Sequence, residues 1–265
     1  MSILESLLAN AKAEGRSALI GYLPVGYPDV ETSIQAMRAM VDGGADVIEV
    51  GVPYSDPGMD GPTIQAAVDP AVRAGVGMSD VLAAVSAVAE AGAAAVVMSY
   101  WNPIEKYGVS RFAADLAQAG GAGAITPDLI PEEAGDWLIS SELHNLDRVF
   151  LVAPSSTDAR IVSTARQSRG FVYAASTMGV TGTRTAVSGT ATTLVSRVRQ
   201  LAPQIPVAVG LGVSNADQAA EVAAFADGVI VGSAFVRCLL DSPDGKGAIA
   251  AGVLAQTLAE GVRRH

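Results

Sequence analysis

Short apolar runs recur along the chain, each followed by a helical stretch, and this repeat restricts the possible folds more than any other feature. Each run is rich in Val, Ile and Ala and ends in a loop that contains Gly or Pro. Eight runs have this form, at residues 18–23, 47–51, 95–99, 122–126, 148–153, 171–175, 206–210 and 228–231. Near-continuous apolar strands that alternate with helices are typical of a parallel sheet with both faces covered.

The number and spacing of these units predict a closed α/β barrel. Eight strand–helix units in about 250 residues are the usual size of a (β/α)8 TIM barrel. Helices are predicted at 30–43, 78–91, 109–119, 131–142, 158–168, 190–201, 214–225 and 246–262, with an extra N-terminal helix at 1–13 that plugs the barrel. No linker or low-complexity stretch interrupts the pattern, so residues 1–265 are expected to form one TIM-barrel domain. The alternative, a doubly wound open sheet, normally has fewer strands and a Gly-rich fingerprint after the first.

Charge and composition argue against several classes of function. The net charge is −10 and Lys and Arg form no cluster, so nucleic acids and anionic membranes are poor partners. A phosphorylated small molecule remains compatible, because backbone amides bind phosphate without a cationic side chain. The single cysteine, Cys238, excludes an internal disulfide and fits a reducing cytoplasm. No stretch reaches the roughly 18 uninterrupted apolar residues of a membrane span, and the N-terminus does not resemble a secretory signal.

Histidine and lysine are scarce, which narrows the chemistry. The chain has two histidines, His144 and His265, and three lysines. A histidine-based metal centre, a Ser-His-Asp triad and a histidine general base are therefore hard to build. Acid–base chemistry must rely on carboxylates or tyrosines. Tyr22 and Tyr173 lie at or near strand ends, where each could line an aromatic ligand or only fill the barrel mouth.

Glu49 interrupts the apolar strand 47–51 and is the first candidate for such chemistry. Side chains alternate along a strand, so Val47 and Glu49 should point into the barrel. Their neighbours Ile48 and Val50 should face the helices. A buried carboxylate without a partner has a raised pKa, which suits a general acid–base group near pH 7. The alternative is a structural glutamate held by one buried hydrogen bond.

The loop after this strand, residues 51–62, carries two acids, Asp56 and Asp60, among three prolines and three glycines. Asp before Gly or Pro is common in ordinary turns, so neither acid indicates function by itself. Active sites of TIM barrels lie at the C-terminal ends of the strands, so this loop can present a second carboxylate over the pocket of Glu49. Two acids in different environments can divide proton transfer from electrostatic stabilisation.

Three later strands end in glycine-bearing segments, which together predict a phosphate site. These segments are 179–183, 210–214 and 232–233. Glycine lets backbone amides approach an anion closely, and a helix N-terminus adds a favourable dipole. One glycine alone would merely end a strand tightly, but the loops after the seventh and eighth strands of TIM barrels often bind phosphate.

Several motifs together resemble the tryptophan synthase alpha subunit family. The most specific is the run Glu49-Val50-Gly51-Val52-Pro53-Tyr54-Ser55-Asp56-Pro57, followed by Asp60-Gly61-Pro62-Thr63-Ile64-Gln65. The family pattern also matches, in order along nearly the whole chain, at 102–103, 107–108, 128–131, 179–182, 210–214 and 232–233. The resemblance implies a TIM barrel that cleaves indole-3-glycerol phosphate to indole and glyceraldehyde 3-phosphate.

The resemblance also implies a role for each matching position. Glu49 would be the principal acid–base catalyst, helping to protonate the indole C3. Asp60 would accept a hydrogen bond from the indole N–H and stabilise positive charge on the ring. Tyr173 would lie near the glycerol part and assist, and Tyr22 would line the indole pocket.

Phosphate binding is likewise implied by the resemblance. Backbone N–H groups would hold the phosphate at four residues, Gly182, Gly212, Gly232 and Ser233. Thr181 would lie on a loop that closes over the substrate and touches Asp60.

A beta subunit is implied as the partner, and it would carry the pyridoxal phosphate; this subunit would need no cofactor and no metal. The two subunits would form an αββα heterotetramer with a tunnel for indole, and loops 53–62 and 100–107 would face the partner. The chain departs from some relatives at Gly58-Met59 and at Pro24. Gly58 adds backbone freedom to the loop that holds Asp60, so a more mobile loop and strong dependence on the partner are expected.

Three alternatives stay open from the sequence. Another phosphate-binding barrel enzyme, such as a sugar-phosphate isomerase or epimerase, would share the late glycine loops but not the run from Glu49 to Gln65. A non-catalytic regulatory subunit would bind ligand and partner, although the presence of both acids argues for chemistry. A free-standing lyase would release indole without a partner.

Overall fold

The computed structural model describes residues 1–175, 184–242 and 245–264. Its strands within these ranges are β1 (Ala18–Pro24), β2 (Val47–Gly51), β3 (Ala94–Met98), β4 (Gly123–Ile125), β5 (Asp147–Val149), β6 (Leu151–Val152), β7 (Val172–Ala175), β8 (Val207–Gly210) and β9 (Gly228–Val231). They form one parallel sheet in the order β5-β4-β3-β2-β1-β9-β8-β7-β6. The two end strands, β5 and β6, are halves of the predicted fifth strand, separated only by Phe150. The sheet therefore closes on itself, and the predicted TIM barrel is confirmed.

Helices surround the barrel, and the described ones are α1 (Ile3–Ala13), α2 (Val30–Asp42), α3 (Pro62–Arg73), α4 (Met78–Glu90), α5 (Trp101–Tyr107), α6 (Val109–Gln118), α7 (Gly135–Leu143), α8 (Asp158–Gln167), α9 (Arg184–Leu201), α10 (Ala216–Ala223), α11 (Ser233–Leu240) and α12 (Gly247–Gly261). A 3₁₀ turn, Pro131–Glu133, precedes α7. None of these helices is by itself long and apolar enough to cross a membrane; α3 and α4 meet that test only as a pair bent by 120°.

Three described helices, α3, α5 and α11, are absent from the predicted set, and two of them, α3 and α5, have a proline in the first turn. Helix α3 begins at Pro62, directly after the predicted loop, and contains Pro70. Helix α5 has Pro103 in its first turn. Proline is tolerated in the first turn because those N–H groups have no partner inside the helix. A proline that indicates a loop therefore also marks a helix start here.

Side chains of the strands alternate as predicted. Ile48 and Val50 pack in the outer layer against the helices, whereas Val47 lies in the barrel interior. The interior is filled by inward-facing residues such as Ile20 and Ile230. This alternation fixes the direction in which Glu49 points.

Helix α1 closes the N-terminal end of the barrel, as expected for residues 1–13. Leu4 and Leu8 are buried in the interior cluster. The helix starts with a capping box, in which Ser2 and Glu5 each accept a hydrogen bond from the other's backbone N–H. Its first turn is also held from outside, because the backbone N–H of Leu4 donates to Oδ2 of Asp147 at 3.1 Å. A polar anchor thus holds the apolar plug in place.

Candidate active site

A cavity of about 220 Å³ lies at the opposite end of the barrel, where the strands end. This is the end at which TIM-barrel enzymes place their active sites. The lining residues are Tyr22, Glu49, Met59, Asp60, Ile64, Met98, Leu151, Tyr173, Ala175, Gly210, Gly212, Ile230, Gly232 and Ser233. Apolar walls with a few convergent polar groups suit a small ligand that has both apolar and polar parts.

Glu49 lies on β2, with Tyr22 of β1 and Val96 of β3 as its register partners. Its side chain is 2% exposed, and Oε1 has no hydrogen-bond partner among the described residues. Burial raises the pKa of this carboxyl to about 8. Near pH 7 the group is therefore mostly protonated, but it can exchange its proton readily. The structural alternative, a glutamate held by one buried hydrogen bond, has no support at Oε1 among the described residues.

Asp60 supplies the second carboxylate of the cavity, from the irregular loop before α3. Oδ1 accepts a hydrogen bond from the Tyr100 hydroxyl at 3.0 Å. Burial raises the pKa of Asp60, and the hydrogen bond from Tyr100 opposes this rise. Asp56 is instead exposed and accepts a hydrogen bond from Ser55 Oγ at 2.6 Å. Of the two acids in this loop, Asp60 is the one that lines the cavity.

Two tyrosines occupy the cavity wall, each beside a glycine. A Cβ atom added at Gly51 would lie 2.7 Å from the Tyr22 hydroxyl oxygen, and one added at Gly210 would lie 2.7 Å from that of Tyr173. The missing side chains therefore make room for the two phenol rings. Burial raises the pKa of both tyrosines, so both hydroxyls stay protonated and act as hydrogen-bond groups.

The predicted phosphate residues meet on one side of the cavity. Gly212 follows β8 and has a φ of +64°, which favours glycine. Gly232 and Ser233 follow β9, and Ser233 is the first residue of α11. The N–H groups of a helix's first turn have no partner inside the helix and attract anions. Gly182 and Thr181 lie outside the described residues.

The segment 210–214 differs from the prediction in one respect. It was expected to open a helix, but α10 begins at Ala216, with Asn215 as its N-cap. The Asn215 side chain accepts from the Gln218 backbone N–H at 3.0 Å. The helix that starts at the cavity wall is therefore α11, and the 210–214 segment contributes a glycine loop.

Tyr100 was missed in the sequence analysis. It directly follows the predicted strand 95–99, at the end of the strand where TIM barrels place their active sites, so its position could have selected it. Its hydroxyl also accepts a hydrogen bond from the Met59 backbone N–H at 2.8 Å. These two contacts join residues about forty positions apart, and no spacing in the sequence indicates them.

The described residues contain no cluster of three or more His, Cys, Asp or Glu side chains suited to a metal ion. The arrangement instead combines a protonated buried carboxyl, a second carboxylate with a donor, and backbone amides near a helix start. Such a set can move a proton, stabilise a positive charge and hold an anion.

Comparisons with known proteins agree along nearly the whole chain. A family model described as "Tryptophan synthase alpha chain" matches residues 8–262. The chain is 64% identical over 246 residues to the tryptophan synthase alpha chain of Thermobifida fusca, covering 92% of this chain and 91% of that one. It is 62% identical over 262 residues to that of Nocardia farcinica, covering 99% and 96%. A solved Mycobacterium tuberculosis tryptophan synthase is similar with a TM-score of 0.93 and 57% identity, covering 100% of this chain and 99% of that one.

Proposed function

The chain belongs to the tryptophan synthase alpha chain family, and from that premise we propose how its residues divide the reaction. It is a lyase of tryptophan biosynthesis that cleaves indole-3-glycerol phosphate to indole and glyceraldehyde 3-phosphate. The family resemblance read from the sequence is confirmed, and a sugar-phosphate isomerase or epimerase is excluded. The observation that carries the proposed mechanism is that Glu49, whose buried Oε1 has no hydrogen-bond partner among the described residues, lines the same cavity as Asp60.

Glu49 is the acid–base catalyst in this proposal. Retro-aldol cleavage moves one proton from the hydroxyl on the departing carbon to C3 of the indole, while the carbon–carbon bond breaks. A protonated carboxyl can give its proton to C3 and, as the carboxylate, recover one from the hydroxyl. The pKa of about 8 keeps both forms of Glu49 accessible near neutral pH.

Asp60 acts as the electrostatic partner. Protonation at C3 places positive charge on the indole ring, and a carboxylate near the ring N–H stabilises that charge. Tyr22 lines the indole pocket, where its flat ring can stack on the substrate. Tyr173 lies on β7 and assists near the glycerol part.

The phosphate is held at the glycine loops. Gly212 and Gly232 let backbone amides approach it, and Ser233 adds its own N–H at the start of α11. Gly182 would add a further backbone N–H, and Thr181 would lie on a loop that closes over the substrate and touches Asp60; both are outside the described residues. The arrangement needs no lysine or arginine, in agreement with the net charge of −10.

The family implies a beta-subunit partner, and we propose the αββα heterotetramer with pyridoxal phosphate in the beta subunit alone. Indole then passes from this barrel to the partner through a tunnel. Loops 53–62 and 100–107 form the proposed contact face; they already meet in this chain, where Asn102 Nδ2 donates to the Tyr54 hydroxyl at 3.1 Å. We further propose that the protein is cytoplasmic. We also propose that residues 1–265 form one domain, because the strands build one barrel around one interior.

Indole release from indole-3-glycerol phosphate tests the proposal, with and without a beta subunit. We expect weak activity alone, strong stimulation by the partner, and a loss of about 10²- to 10⁴-fold in Glu49→Gln, the range typical of a general acid–base group. Asp60→Asn should also lose most activity. Glu90→Gln makes the same change at an exposed position at the end of α4, and should match the wild type.

Each alternative gives a different result in this assay. High turnover alone, with no stimulation, would indicate a free-standing lyase. No indole under either condition would contradict the catalytic proposal and leave a regulatory subunit. Full activity in Glu49→Gln would overturn the role of that residue.

A further inference from the structure

We propose that Tyr100 is a positioning residue that holds the Asp60 carboxylate in its reactive orientation. The inference rests on the proposed role of Asp60 and adds the residue that sets its geometry. Tyr100 is outside the lining of the cavity and reaches the reaction only through Asp60. Among the described residues it is the one side chain that donates a hydrogen bond to this carboxylate.

Tyr100 is itself firmly fixed at the end of β3. Its ring is 8% exposed. Its backbone carbonyl accepts a hydrogen bond from Ser99 Oγ at 2.7 Å, within a buried environment. The next N–H along the chain, that of Trp101, donates to Asp128 Oδ1 at 2.9 Å. The peptide group between Tyr100 and Trp101 is thus held at both its carbonyl and its N–H, and a fixed donor can orient a mobile acceptor.

The loop that carries Asp60 has much less support. It is irregular, and Gly58 and Gly61 flank Met59 and Asp60. Glycine leaves such a loop with many accessible conformations. One hydrogen bond to the Asp60 main chain comes from Gln65, whose Nε2 donates to the carbonyl at 2.7 Å. That contact fixes the backbone but leaves the carboxylate free to rotate.

The Tyr100 hydroxyl supplies the missing restraint. It accepts from the Met59 N–H at 2.8 Å and donates to Asp60 Oδ1 at 3.0 Å, so it uses both its donor and its acceptor capacity. With Oδ1 occupied, Oδ2 remains to accept the N–H of the substrate. A fixed acceptor costs no reorganisation when charge develops on the substrate.

The same contact affects ionisation. Burial raises the pKa of Asp60, and the hydrogen bond from Tyr100 counteracts this. Other titratable groups that line the cavity with Asp60 are Tyr22 and Glu49 from β1 and β2, and Tyr173 from β7. Tyr100 therefore helps to keep Asp60 ionised beside neutral neighbours.

Tyr100→Phe tests the inference, because it removes only the hydroxyl and keeps the ring, which packs 5.5 Å from Tyr54 between ring centroids. We expect kcat/KM for indole release by the chain alone to fall about 10- to 100-fold, the loss typical of one hydrogen bond to a charged group. Most of the loss should be in kcat. The acid limb of the pH profile should move to higher pH, because Asp60 then protonates more easily. Tyr27→Phe removes a hydroxyl in the loop after β1, outside the cavity lining. It should leave kcat/KM and the acid limb of the pH profile unchanged.

A double-mutant cycle separates positioning from a general structural effect. In the Asp60→Asn background, Tyr100→Phe should change kcat by less than about two-fold, since coupled residues are not additive. An equal loss in both backgrounds, or an unmoved acid limb, would overturn the proposal. Wild-type levels of activity in Tyr100→Phe would also overturn it while leaving the proposed function intact. Failure of the wild type itself to release indole would overturn the proposed function instead.

Discussion

Two carboxyl groups buried in the barrel, Glu49 near one end and Asp147 at the other, have opposite surroundings. Glu49 is 2% exposed and Asp147 is 0% exposed, and burial raises the pKa of both. Asp147 accepts the Leu4 N–H, and its Oδ1 lies 3.4 Å from Nε of Arg169. Asp147 Oδ1 also lacks a hydrogen bond but has this cation beside it, whereas Glu49 Oε1 has neither in the described part of the chain. The same chemical group is thus an anchor at the closed end and, in the proposed function, a reactive acid at the open end.

The difference follows from what covers each end. Helix α1 fills the N-terminal end, and its first turn brings an N–H to Asp147. At the C-terminal end the described residues leave a cavity, which Glu49 lines. A buried charge without a partner is costly, and the carboxyl avoids that cost by keeping its proton. In the proposed function, the fold accepts lower stability at Glu49 because the reaction needs a carboxyl that is free to exchange its proton.

The largest expected effect is that Glu49 lowers the free energy of unfolding by an amount that depends on pH. Below its ordinary pKa of 4.5, Glu49 is protonated in both folded and unfolded chains, and its contribution to stability is fully present. As pH rises toward about 8, the unfolded chain loses the proton and the folded chain keeps it, so stability falls by about 1.4 kcal/mol per pH unit. Above about 8 the loss levels off. Urea unfolding at a series of pH values should show that the stability of Glu49→Gln rises relative to that of the wild type between the ordinary pKa of 4.5 and about 8.

Glu90→Gln provides the matched control, because Glu90 is exposed and should give no gain over the same pH range. A constant difference between Glu49→Gln and the wild type at all pH values would mean that Glu49 has a partner when folded. That result would remove the contrast with Asp147.

A smaller effect is expected at the closed end. Asp147→Ala leaves the buried N–H of Leu4 unsatisfied and should lower the free energy of unfolding by about 1–3 kcal/mol. Activity per folded molecule should not change, since Asp147 lies at the end of the barrel opposite the cavity. Denaturant unfolding together with indole release measures both properties.

Asp217→Ala is a suitable comparison for this variant. Asp217 is 90% exposed in its pair with Arg264, and exposed pairs contribute little. Equal destabilisation by the two changes would show that the anchor to α1 is weak. If Asp147→Ala lost activity without losing stability, Asp147 would not be the structural anchor that the comparison makes it.

The smallest effect concerns the loop at the open end. A Cβ atom at Gly58 would lie 4.0 Å from Tyr100 Cε1, which is an ordinary contact, and the φ of Gly58 is outside the left-handed region. Gly58→Ala should therefore stabilise the chain by about 0.4–1 kcal/mol by restricting the unfolded state. If Gly58 makes the Asp60 loop mobile, the change should also raise activity without the beta subunit and reduce the stimulation.

Gly135→Ala separates these two consequences. A Cβ at Gly135, the first residue of α7, meets no atom within 4 Å, so this change should stabilise without altering activity. The same stimulation by the beta subunit in Gly58→Ala as in the wild type would refute the mobile-loop expectation.

The number and spacing of the strand–helix units were enough to predict the barrel, and side-chain alternation along β2 was enough to predict the inward direction of Glu49. The placement of TIM-barrel active sites at the C-terminal ends of the strands also predicted that Gly212, Gly232 and Ser233 lie near one another. Tyr100 could not be paired with Asp60 from the sequence, since their contact depends on how a loop folds across a neighbouring strand end. The start of α10 was misplaced because Asn215, rather than the preceding glycines, caps that helix.

The hydrogen bond between Leu4 and Asp147 also has a consequence for the order in which the chain folds as it is synthesised. The two residues are 143 positions apart, so the first helix leaves the ribosome long before its acceptor is made. Contacts between such distant residues slow folding, because a large loop must close before they form. The polar anchor between α1 and β5 can therefore form only after more than half of the chain has been made, although the apolar face of α1 already has partners in β1 and β2.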